Sequence, residues 1–248
     1  MPGGWADPPL RLPNNAGASV DRLTIIIPAL NEARGIAATL QSLAGLRASG
    51  HELIVVDGGS ADGTADLVRP LVDRVLAAPA GRASQMNAGA RIARGDVLLF
   101  LHADSLLPAG ADRLVSDGLA ASGRDWGRFD LEIDGAHPLL RLVEAMMNWR
   151  SRLTGVCTGD QGLFVRRAAF EASGGFAAVE LMEDIELCTR LRRISSPLVI
   201  RARILTSARR WEKHGVLRTI VLMWWLRLQY FAGVSPARLA KSYAAQRR

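Results

Sequence analysis

The sequence predicts an α/β protein with a mostly parallel, doubly wound sheet, helices on both faces and a C-terminal helical extension. In the first hundred residues, short apolar runs rich in β-branched side chains alternate with stretches of helical periodicity. Turns rich in glycine, serine and aspartate separate these segments. Parallel strands joined through helices are buried on both faces, which accounts for runs that are apolar at every position.

The predicted elements follow one another in a regular order up to about residue 108. Apolar runs predict strands at 23–28, 53–56, 73–78 and 97–101, with a helix predicted after each of the first three. Beyond residue 108 the alternation is looser. There the pattern predicts helices at 109–121, 138–153, 184–193 and 216–231, and strands at 126–133 and 161–167.

Composition bounds the class of protein. The chain has 248 residues, of which 49% are hydrophobic and 22% charged, as expected of a globular domain with appendages. Its net charge of +7 favours polyanionic partners such as nucleotide phosphates or an anionic membrane surface. Nucleic acid is not expected, because no recognition motif appears and aromatic residues make up only 6%. Cys157 and Cys188 have no metal-site spacing and predict neither a disulfide framework nor a zinc site.

Three segments are predicted. Residues 1–21 are rich in proline, glycine and asparagine and predict a loosely ordered lead-in. Residues 22–215 form the main domain, with halves at 22–107 and 108–215, and residues 216–248 form an apolar helix with a basic tail. The N-terminus shows no charged region followed by an apolar stretch, so we expect a cytoplasmic protein.

The apolar stretch at 216–234 raises the question of a membrane. Its length reaches only the lower range for a transmembrane helix, and Arg227 lies inside it. A helix that packs on the protein, or one that lies in a membrane interface, is therefore favoured over a span. Peripheral contact with the inner face of a membrane remains open.

Polar side chains follow two of the predicted strands. In the segment "LLFLHADS" the apolar run is followed by His102 and Asp104, and Asp57 ends the second predicted strand and is followed by Gly58 and Gly59. Ligands of doubly wound sheets bind beyond the carboxyl ends of the strands, and glycines allow close approach of the backbone. These residues predict a ligand site, although capping of the following helices would also explain them.

Two acidic segments in the second half have similar alternatives. Glu183 and Asp184 begin a predicted helix, where carboxylates are ordinary partners of the helix dipole or can supply a general base. The segment "GDQG" at 159–162 predicts either a turn before a strand or part of a binding loop.

Six segments together resemble the family 2 glycosyltransferases of the GT-A fold. In order along the chain they are "TIIIPALNE", "VVDGGSADGT", "GRASQMNAGARIARGD", "LLFLHAD", "GDQGLFVRR" and "MEDIELCTRLRR". The resemblance extends over roughly residues 23 to 215. It implies that residues 22–107 bind a nucleotide-sugar and that residues 108–215 bind the acceptor.

The resemblance also implies roles for particular residues. Nucleotide contacts fall on Pro28, Ala29, Glu32, Asp57, Gly58 and Gly59, and Arg82 faces the diphosphate. Asp104 matches the last aspartate of the metal-binding Asp-X-Asp signature, and it would also contact the donor through the metal. His102 stands where the family has the first aspartate, and His214 is a further candidate ligand. Asp184 is the expected base beside Glu183, and acceptor contacts fall on Asp160, Gln161, Arg210 and Trp211.

The expected activity is inverting, metal-assisted transfer from a nucleotide-diphosphate-sugar, with uridine as the favoured nucleoside, to a lipid or saccharide hydroxyl. Mn²⁺ is expected to act better than Mg²⁺, because imidazole ligates Mn²⁺ more readily. A nucleotidyltransferase is one alternative, but "PALNEARG" lacks the glycine-rich basic signature expected of it. A non-catalytic nucleotide-sugar-binding protein is the other. His102 favours that alternative, and the intact Glu183–Asp184 pair argues against it.

Overall fold

A computed structural model describes residues 21–245, without the side chains of Arg210, His214, Ala244 and Ala245. Of the predicted N-terminal lead-in, only Asp21 lies within the described residues. The last three residues of the predicted basic tail also lie outside them.

The described chain folds into one eight-stranded sheet with helices packed around it. The strands are β1 (Leu23–Ala29), β2 (Glu52–Asp57), β3 (Arg74–Ala77), β4 (Val97–Phe100), β5 (Ser105–Leu106), β6 (Trp126–Asp134), β7 (Phe164–Arg166) and β8 (Leu198–Ser207). The helices are α1 (Ile36–Ser42), α2 (Ala44–Ala48), α3 (Thr64–Val68), α4 (Arg82–Ile92), α5 (Ala111–Ser122), α6 (Pro138–Thr154), α7 (Arg167–Ala172), α8 (Glu183–Leu191), α9 (Arg209–His214), α10 (Val216–Phe231) and α11 (Pro236–Ala245).

The first half of the sheet is parallel, as predicted. β1 lies between β2 and β4, β2 also pairs with β3, and all three pairings are parallel. Alternate residues of β1 face two separate cores, since Ile25 and Ile27 pack in one and Ile26 packs in the other. The carboxyl ends of β1, β2 and β4 therefore meet at one edge of the sheet, between two layers of helices.

The second half of the sheet mixes directions. β7 pairs antiparallel with β4 and with β6, whereas β8 runs parallel to β6 and antiparallel to the short β5. The sequence analysis did not predict β5, β8, α7, α9 or α11. In β8, buried Ile200 and Ile204 alternate with Arg201 and Arg203, so the period of two was present in the sequence.

Polar side chains attach α6 to β6. The Asn148 side chain accepts a hydrogen bond from the Leu131 amide at 2.8 Å and donates one to the Leu131 carbonyl at 3.0 Å. The buried Glu144 carboxylate accepts one from the Ile133 amide at 2.6 Å. Because a buried backbone group without a partner is costly, these bonds fix α6 in place over the strand.

The C-terminal extension packs on the protein. α10 contacts α6, α9 and α11, and it buries Thr219 and Leu226. Within residues 21–245, no helix combines the length and hydropathy that a membrane-spanning segment needs. The segment 216–234 thus packs on the protein, which is one of the two arrangements favoured from the sequence. Contact of this segment with a membrane interface stays a prediction.

We expect Gly127→Ala to lower the free energy of unfolding by about 1–3 kcal/mol, the usual cost of overpacking a core. A methyl group at this position in β6 would lie 2.5 Å from Cζ of Phe164 and against the Leu198 carbonyl. Urea denaturation would measure the change. Gly45→Ala in α2 is the matched control, because its added carbon meets nothing within 4 Å. Equal stability of the two variants would contradict the prediction.

Candidate functional site

A cleft opens at the edge where β1, β2 and β4 end. It has a volume of about 610 Å³, and we call it the strand-end cleft. The side chains that line it include those of Pro28, Glu32, Arg82, Gln85, His102 and Asp104. The structure therefore brings together predicted residues from three separate segments of the sequence, and Asp57, Gly58 and Gly59 lie at the neighbouring end of β2.

Two loops at the cleft are joined by side-chain hydrogen bonds. After β1, Asn31 has a positive φ of 55°, and its amide donates to the Ser60 hydroxyl at 2.9 Å. The Asn31 side chain in turn accepts a bond from the Ala61 amide at 2.9 Å. The Glu32 amide donates to the Thr64 hydroxyl at 3.0 Å. The loop after β1 is thus fixed to the loop after β2.

Asp57 ends β2 and is almost completely buried. Its Oδ2 accepts hydrogen bonds from the amides of Gly59 and Ser60, both at 3.0 Å. Its Oδ1 is buried and has no hydrogen-bond partner among the described residues. An unpaired buried carboxylate oxygen is costly. The atom is therefore well suited to accept a hydrogen bond from a ligand.

Gln85 holds the ends of β1 and β2 together beneath the cleft. Its Nε2 donates to the Ala29 carbonyl at 2.8 Å and to the Val56 carbonyl at 2.7 Å. A side chain at Gly58 would begin 3.1 Å from that amide group. Gly58 therefore leaves room for Gln85, a reason for the glycine that the sequence did not reveal.

Arg209 crosses the cleft between two of the predicted residues. Its Nη2 lies 3.0 Å from Oε2 of Glu32 and 3.4 Å from Oδ2 of Asp104. The hydrogen bond that Arg209 donates to Glu32 raises the pKa of the Arg209 guanidinium above its ordinary value, and Asp104 adds to the effect. Acceptor contacts were predicted at its neighbours Arg210 and Trp211, whereas Arg209 itself had no predicted role. With Arg82 and Lys213, Arg209 makes the cleft cationic.

His102 connects the cleft to the loop before β7. Its Nδ1 lies 2.9 Å from Oδ1 of Asp160. A side chain at Gly159 would begin 2.5 Å from Nε2 of His102, so this position has room only for glycine. The Gly159 amide donates to Oδ2 of Asp184 at 2.9 Å. One short loop therefore links His102 to the acidic pair.

Glu183 and Asp184 begin α8 and lie in different surroundings. Burial raises the pKa of Glu183, the Asp184 charge raises it further, and Arg82 and His102 oppose the change. Asp184 is half-buried, and its Oδ1 accepts the Ile185 amide at 2.7 Å. Its charge acts on Arg150 and Arg227. Glu183 is thus on the side of the strand-end cleft, and Asp184 is on the side of α6 and α10.

Two smaller cavities lie beside the strand-end cleft. The first, which we call the linking cavity, is lined by Asp104, Asp160, Met147 and Trp211 among others. The second, the arginine cavity, shares Met147, Asp160 and Trp211 with it and adds Arg150, Arg227, Met146 and Trp224. Because they share lining residues, the strand-end cleft, the linking cavity and the arginine cavity lie next to one another. Together they reach from Glu32 to the gap between α6 and α10.

The arginine cavity has an excess of positive charge. Burial lowers the pKa of Arg150 to about 10, and the positive charge of Arg227 contributes to the decrease. Burial also lowers the pKa of Arg227. Nε and Nη2 of Arg150 are buried without a hydrogen-bond partner among the described residues. From the sequence, Arg227 served only as evidence against a transmembrane helix, and Arg150 had no predicted role.

Some predicted site residues are placed differently from expectation. Gln161 was predicted to contact an acceptor, but it is fully buried. Its Oε1 accepts the Thr158 amide at 3.2 Å, so it closes the turn that carries Asp160. Trp211 is mostly buried and packs in the core beside the linking cavity. The side chains of Arg210 and His214 lie outside the described residues.

Two carboxylates line the strand-end cleft, Glu32 and Asp104, and Arg209 contacts both; Asp104 is the one predicted to hold a metal ion. Asp104 is half-buried and lines the cleft. Nδ1 of His102 contacts Asp160, so only its Nε2 is left to bind a metal ion. Within residues 21–245, no cluster of three or more His, Cys, Asp or Glu side chains is arranged to hold a metal ion. A single carboxylate fits a cation whose other oxygens come from substrate phosphates.

A larger groove of about 800 Å³ lies elsewhere, along α5 and β8. Its lining includes Arg124, Arg152, Arg192 and Arg201, and among the described residues it contains no carboxylate, imidazole or thiol. It lacks the acid–base groups that the strand-end cleft has, so the strand-end cleft is the candidate site.

Comparison with known proteins supports a relation to glycosyltransferases. The model of Glycosyl transferase family 2 matches residues 24–125, which include Asp57, His102 and Asp104. This part of the chain is therefore similar to Glycosyl transferase family 2. A PGL/p-HBAD biosynthesis glycosyltransferase of Mycobacterium tuberculosis and one of Mycobacterium bovis are each 40% identical to the chain over 91 residues. That match spans 34% of this chain and 36% of each relative.

Solved structures confirm the predicted GT-A fold. Staphylococcus aureus TarS, in complex with UDP-GlcNAc, aligns with a TM-score of 0.62 at 17% identity, covering 75% of this chain and 58% of TarS. The mannosyltransferase PcManGT from Pyrobaculum calidifontis, in complex with GDP-Man and Mn²⁺, aligns with a TM-score of 0.63 at 19% identity. That alignment covers 92% of this chain and 70% of PcManGT. At such identities the likeness shows the fold alone.

Proposed function

We propose that the chain is an inverting glycosyltransferase that moves a sugar from a nucleotide-diphosphate-sugar, with a uridine nucleotide favoured, to an acceptor hydroxyl. One observation carries the proposal. The loop that carries Gly159 and Asp160 contacts His102 of the strand-end cleft through Asp160 and the Asp184 carboxylate through the Gly159 amide, so this loop would lie between a donor in the cleft and Asp184. A donor and a general base on opposite sides of the reacting carbon are what single displacement requires.

The donor is proposed to lie with its base at the end of β2. The unpartnered Oδ1 of Asp57 would accept a ring N–H of the base, as uracil presents one. Pro28, Ala29 and Glu32 would border the base and ribose, while Gly58 and Gly59 let the backbone approach closely. The TarS structure holds UDP-GlcNAc, which supports a nucleotide-sugar of this kind.

The diphosphate is proposed to lie among the cations of the cleft. Arg82 and Arg209 would neutralise the charge that develops as the bond to the leaving oxygen breaks. Asp104 would hold a divalent cation, which supplies Lewis-acid stabilisation of the leaving diphosphate when bound. The PcManGT structure holds Mn²⁺ with its donor. A preference for Mn²⁺ would require Nε2 of His102, or His214, to join Asp104, and it stays a prediction.

Asp184 is proposed to take the proton of the acceptor hydroxyl while that oxygen attacks the anomeric carbon. Amides of Gly159 and Ile185 hold the carboxylate in place, and each of its oxygens keeps a further lone pair for the acceptor. Glu183 lies toward Arg82 and His102, so we propose that it supports the donor side. Asp160 and Trp211, at the linking cavity, are the proposed acceptor contacts, together with Arg210.

The two alternatives are less well supported. A nucleotidyltransferase breaks a bond at phosphorus and not at the anomeric carbon, so a base opposite the bond between sugar and diphosphate would have no role in its reaction. A protein that only binds nucleotide-sugars would not need such a base either. Both alternatives predict full nucleotide binding and no transfer of the sugar.

Asp57→Ala tests the donor site. A hydrogen bond to a charged acceptor contributes about 1.5–3 kcal/mol, so we expect affinity for the matching nucleotide-sugar to fall about 10- to 100-fold. Calorimetric titration with a panel of UDP- and GDP-sugars would measure it, and release of nucleoside diphosphate would report turnover. Asp66→Ala is the control, because that side chain on α3 is almost fully exposed. Unchanged affinity in a folded Asp57→Ala variant would remove Asp57 from the site.

A further inference from the structure

Exposed apolar side chains are concentrated on two neighbouring helices. Of the thirteen large apolar side chains that are exposed among the described residues, ten lie on α6 and α10. Those on α6 recur at one-turn intervals and form a single stripe, at Leu142, Met146, Trp149 and Leu153. Those on α10 form a second stripe, at Leu217, Val221, Trp224, Leu228 and Phe231, with Trp225 beside it.

Both stripes point away from the protein. Leu140, Glu144 and Ser151 are buried on the other side of α6, and Thr219 and Leu226 are buried on the other side of α10. The two helices contact each other, so the stripes together form one surface, which we call the α6–α10 face. A contiguous apolar patch of this kind marks an interaction site in a protein that is otherwise strongly charged.

The arginine cavity opens between the same two helices. Arg150 comes from α6 and Arg227 from α10, and exposed Met146 and Trp224 of the α6–α10 face also line the cavity. The two guanidiniums repel each other, and two nitrogens of Arg150 have no partner among the described residues. A pair of guanidiniums inside an apolar rim suits an anion with several acceptor oxygens.

The arginine cavity is also connected to the proposed chemistry. It shares Asp160 and Trp211 with the linking cavity, which reaches Asp104 in the strand-end cleft. Asp184 acts electrostatically on both arginines. An anionic group held by Arg150 and Arg227 would therefore lie next to the proposed base.

We infer that the acceptor is an anionic membrane lipid: the α6–α10 face lies on a bilayer, and Arg150 and Arg227 bind the headgroup phosphate beside the hydroxyl that receives the sugar. This rests on the proposed glycosyl transfer. A lipid is the inferred occupant because it combines an anionic phosphate, which suits Arg150 and Arg227, with an apolar layer, which suits the α6–α10 face. Exposed tryptophans beside basic residues are typical of helices at a membrane interface.

Vesicle co-sedimentation tests the inference with the intact chain. We expect binding to vesicles of phosphatidylcholine mixed with phosphatidylglycerol, and much weaker binding to phosphatidylcholine alone. The double variant Arg150→Gln/Arg227→Gln should lower partitioning onto the mixed vesicles by about 30-fold, as expected for two cations near the surface. Replacement of the exposed Trp149 and Trp224 by serine should also lower it.

The matched control is Arg91→Gln/Arg94→Gln. It removes the same charge from exposed positions in and just after α4, which packs on β1, β2 and β3. If both double variants lost the same amount of binding to the mixed vesicles, the protein would be attracted to them by its net charge alone. That result would overturn the inference. So would binding of inorganic phosphate in calorimetry with no binding to either kind of vesicle.

Nucleotide affinity separates this inference from the proposed function. Because Asp57 and the strand-end cleft are untouched, each double variant should bind the nucleotide-sugar as the wild type does. Normal nucleotide binding with absent vesicle binding would overturn the lipid acceptor and leave the proposed glycosyl transfer standing. Absent binding of every nucleotide-sugar would overturn the proposed function first.

Discussion

We expect Asp184→Asn to lower kcat about 10²- to 10⁴-fold, the contribution typical of a positioned general base. An amide cannot take the proton of the acceptor hydroxyl as the new glycosidic bond forms. Affinity for the nucleotide-sugar should stay near that of the wild type, because the donor is proposed to bind on the other side of the loop at Gly159. Steady-state rates with a true acceptor and calorimetry with the donor would measure the two quantities.

Two further variants keep this result interpretable. The side-chain amide introduced by Asp184→Asn would face an N–H of Gly159 or Ile185, so the thermal midpoint of each variant has to be compared as well. Glu183→Gln should slow the reaction less than Asp184→Asn. Glu180→Gln, at an exposed position just before α8, should leave the rate unchanged. Wild-type turnover in Asp184→Asn would mean that this carboxylate only caps its helix.

Removal of divalent cations should abolish transfer. Asp104 is the carboxylate that we propose as the protein ligand, and substrate phosphates would complete the coordination. Excess EDTA should therefore reduce turnover to background, and added Mn²⁺ or Mg²⁺ should restore it. Asp104→Asn should reproduce the effect of EDTA, and it should weaken Mn²⁺ binding measured by calorimetry in the presence of UDP.

A loss of metal binding must be separated from a loss of structure. Asp117→Asn is a suitable control, because Asp117 is a half-buried carboxylate on α5 outside the strand-end cleft. It should bind Mn²⁺ and turn over as the wild type does. Full activity of the wild type in EDTA would eliminate the metal from the mechanism, and Arg82 and Arg209 would then carry the stabilisation of the diphosphate.

The parallel half of the fold could be predicted because its information is local. The buried strands β1, β2 and β4 contain continuous apolar runs, and a strand that is apolar on both faces belongs in the middle of a covered sheet. β8 was missed because Arg201 and Arg203 interrupt its apolar residues. Its pairing with β6 and β5 could not be identified either, since strand pairing over such distances is decided by the whole fold.

Individual site residues could be predicted from the sequence, but the contacts between them could not. Sequence position indicated Asp57, His102, Asp104 and Asp184 as functional candidates, but not which of them would meet. The bond between His102 and Asp160 joins residues from two distant segments, and the contact of Arg209 with Glu32 joins residues 177 positions apart. Spacing likewise could not reveal that Cys157 and Cys188 lie with their sulfur atoms 3.3 Å apart in the core.

The bonds that join the loops after β1 and β2 have a thermodynamic consequence. Asn31, Ser60 and Thr64 order both loops when the chain folds, so the conformational entropy of these loops is lost before any ligand arrives. A nucleotide that binds there would meet a preorganised surface. We therefore expect nucleotide binding to show little unfavourable entropy from loop ordering. Asn31→Ala should weaken nucleotide binding through entropy, although Asn31 need not touch the nucleotide.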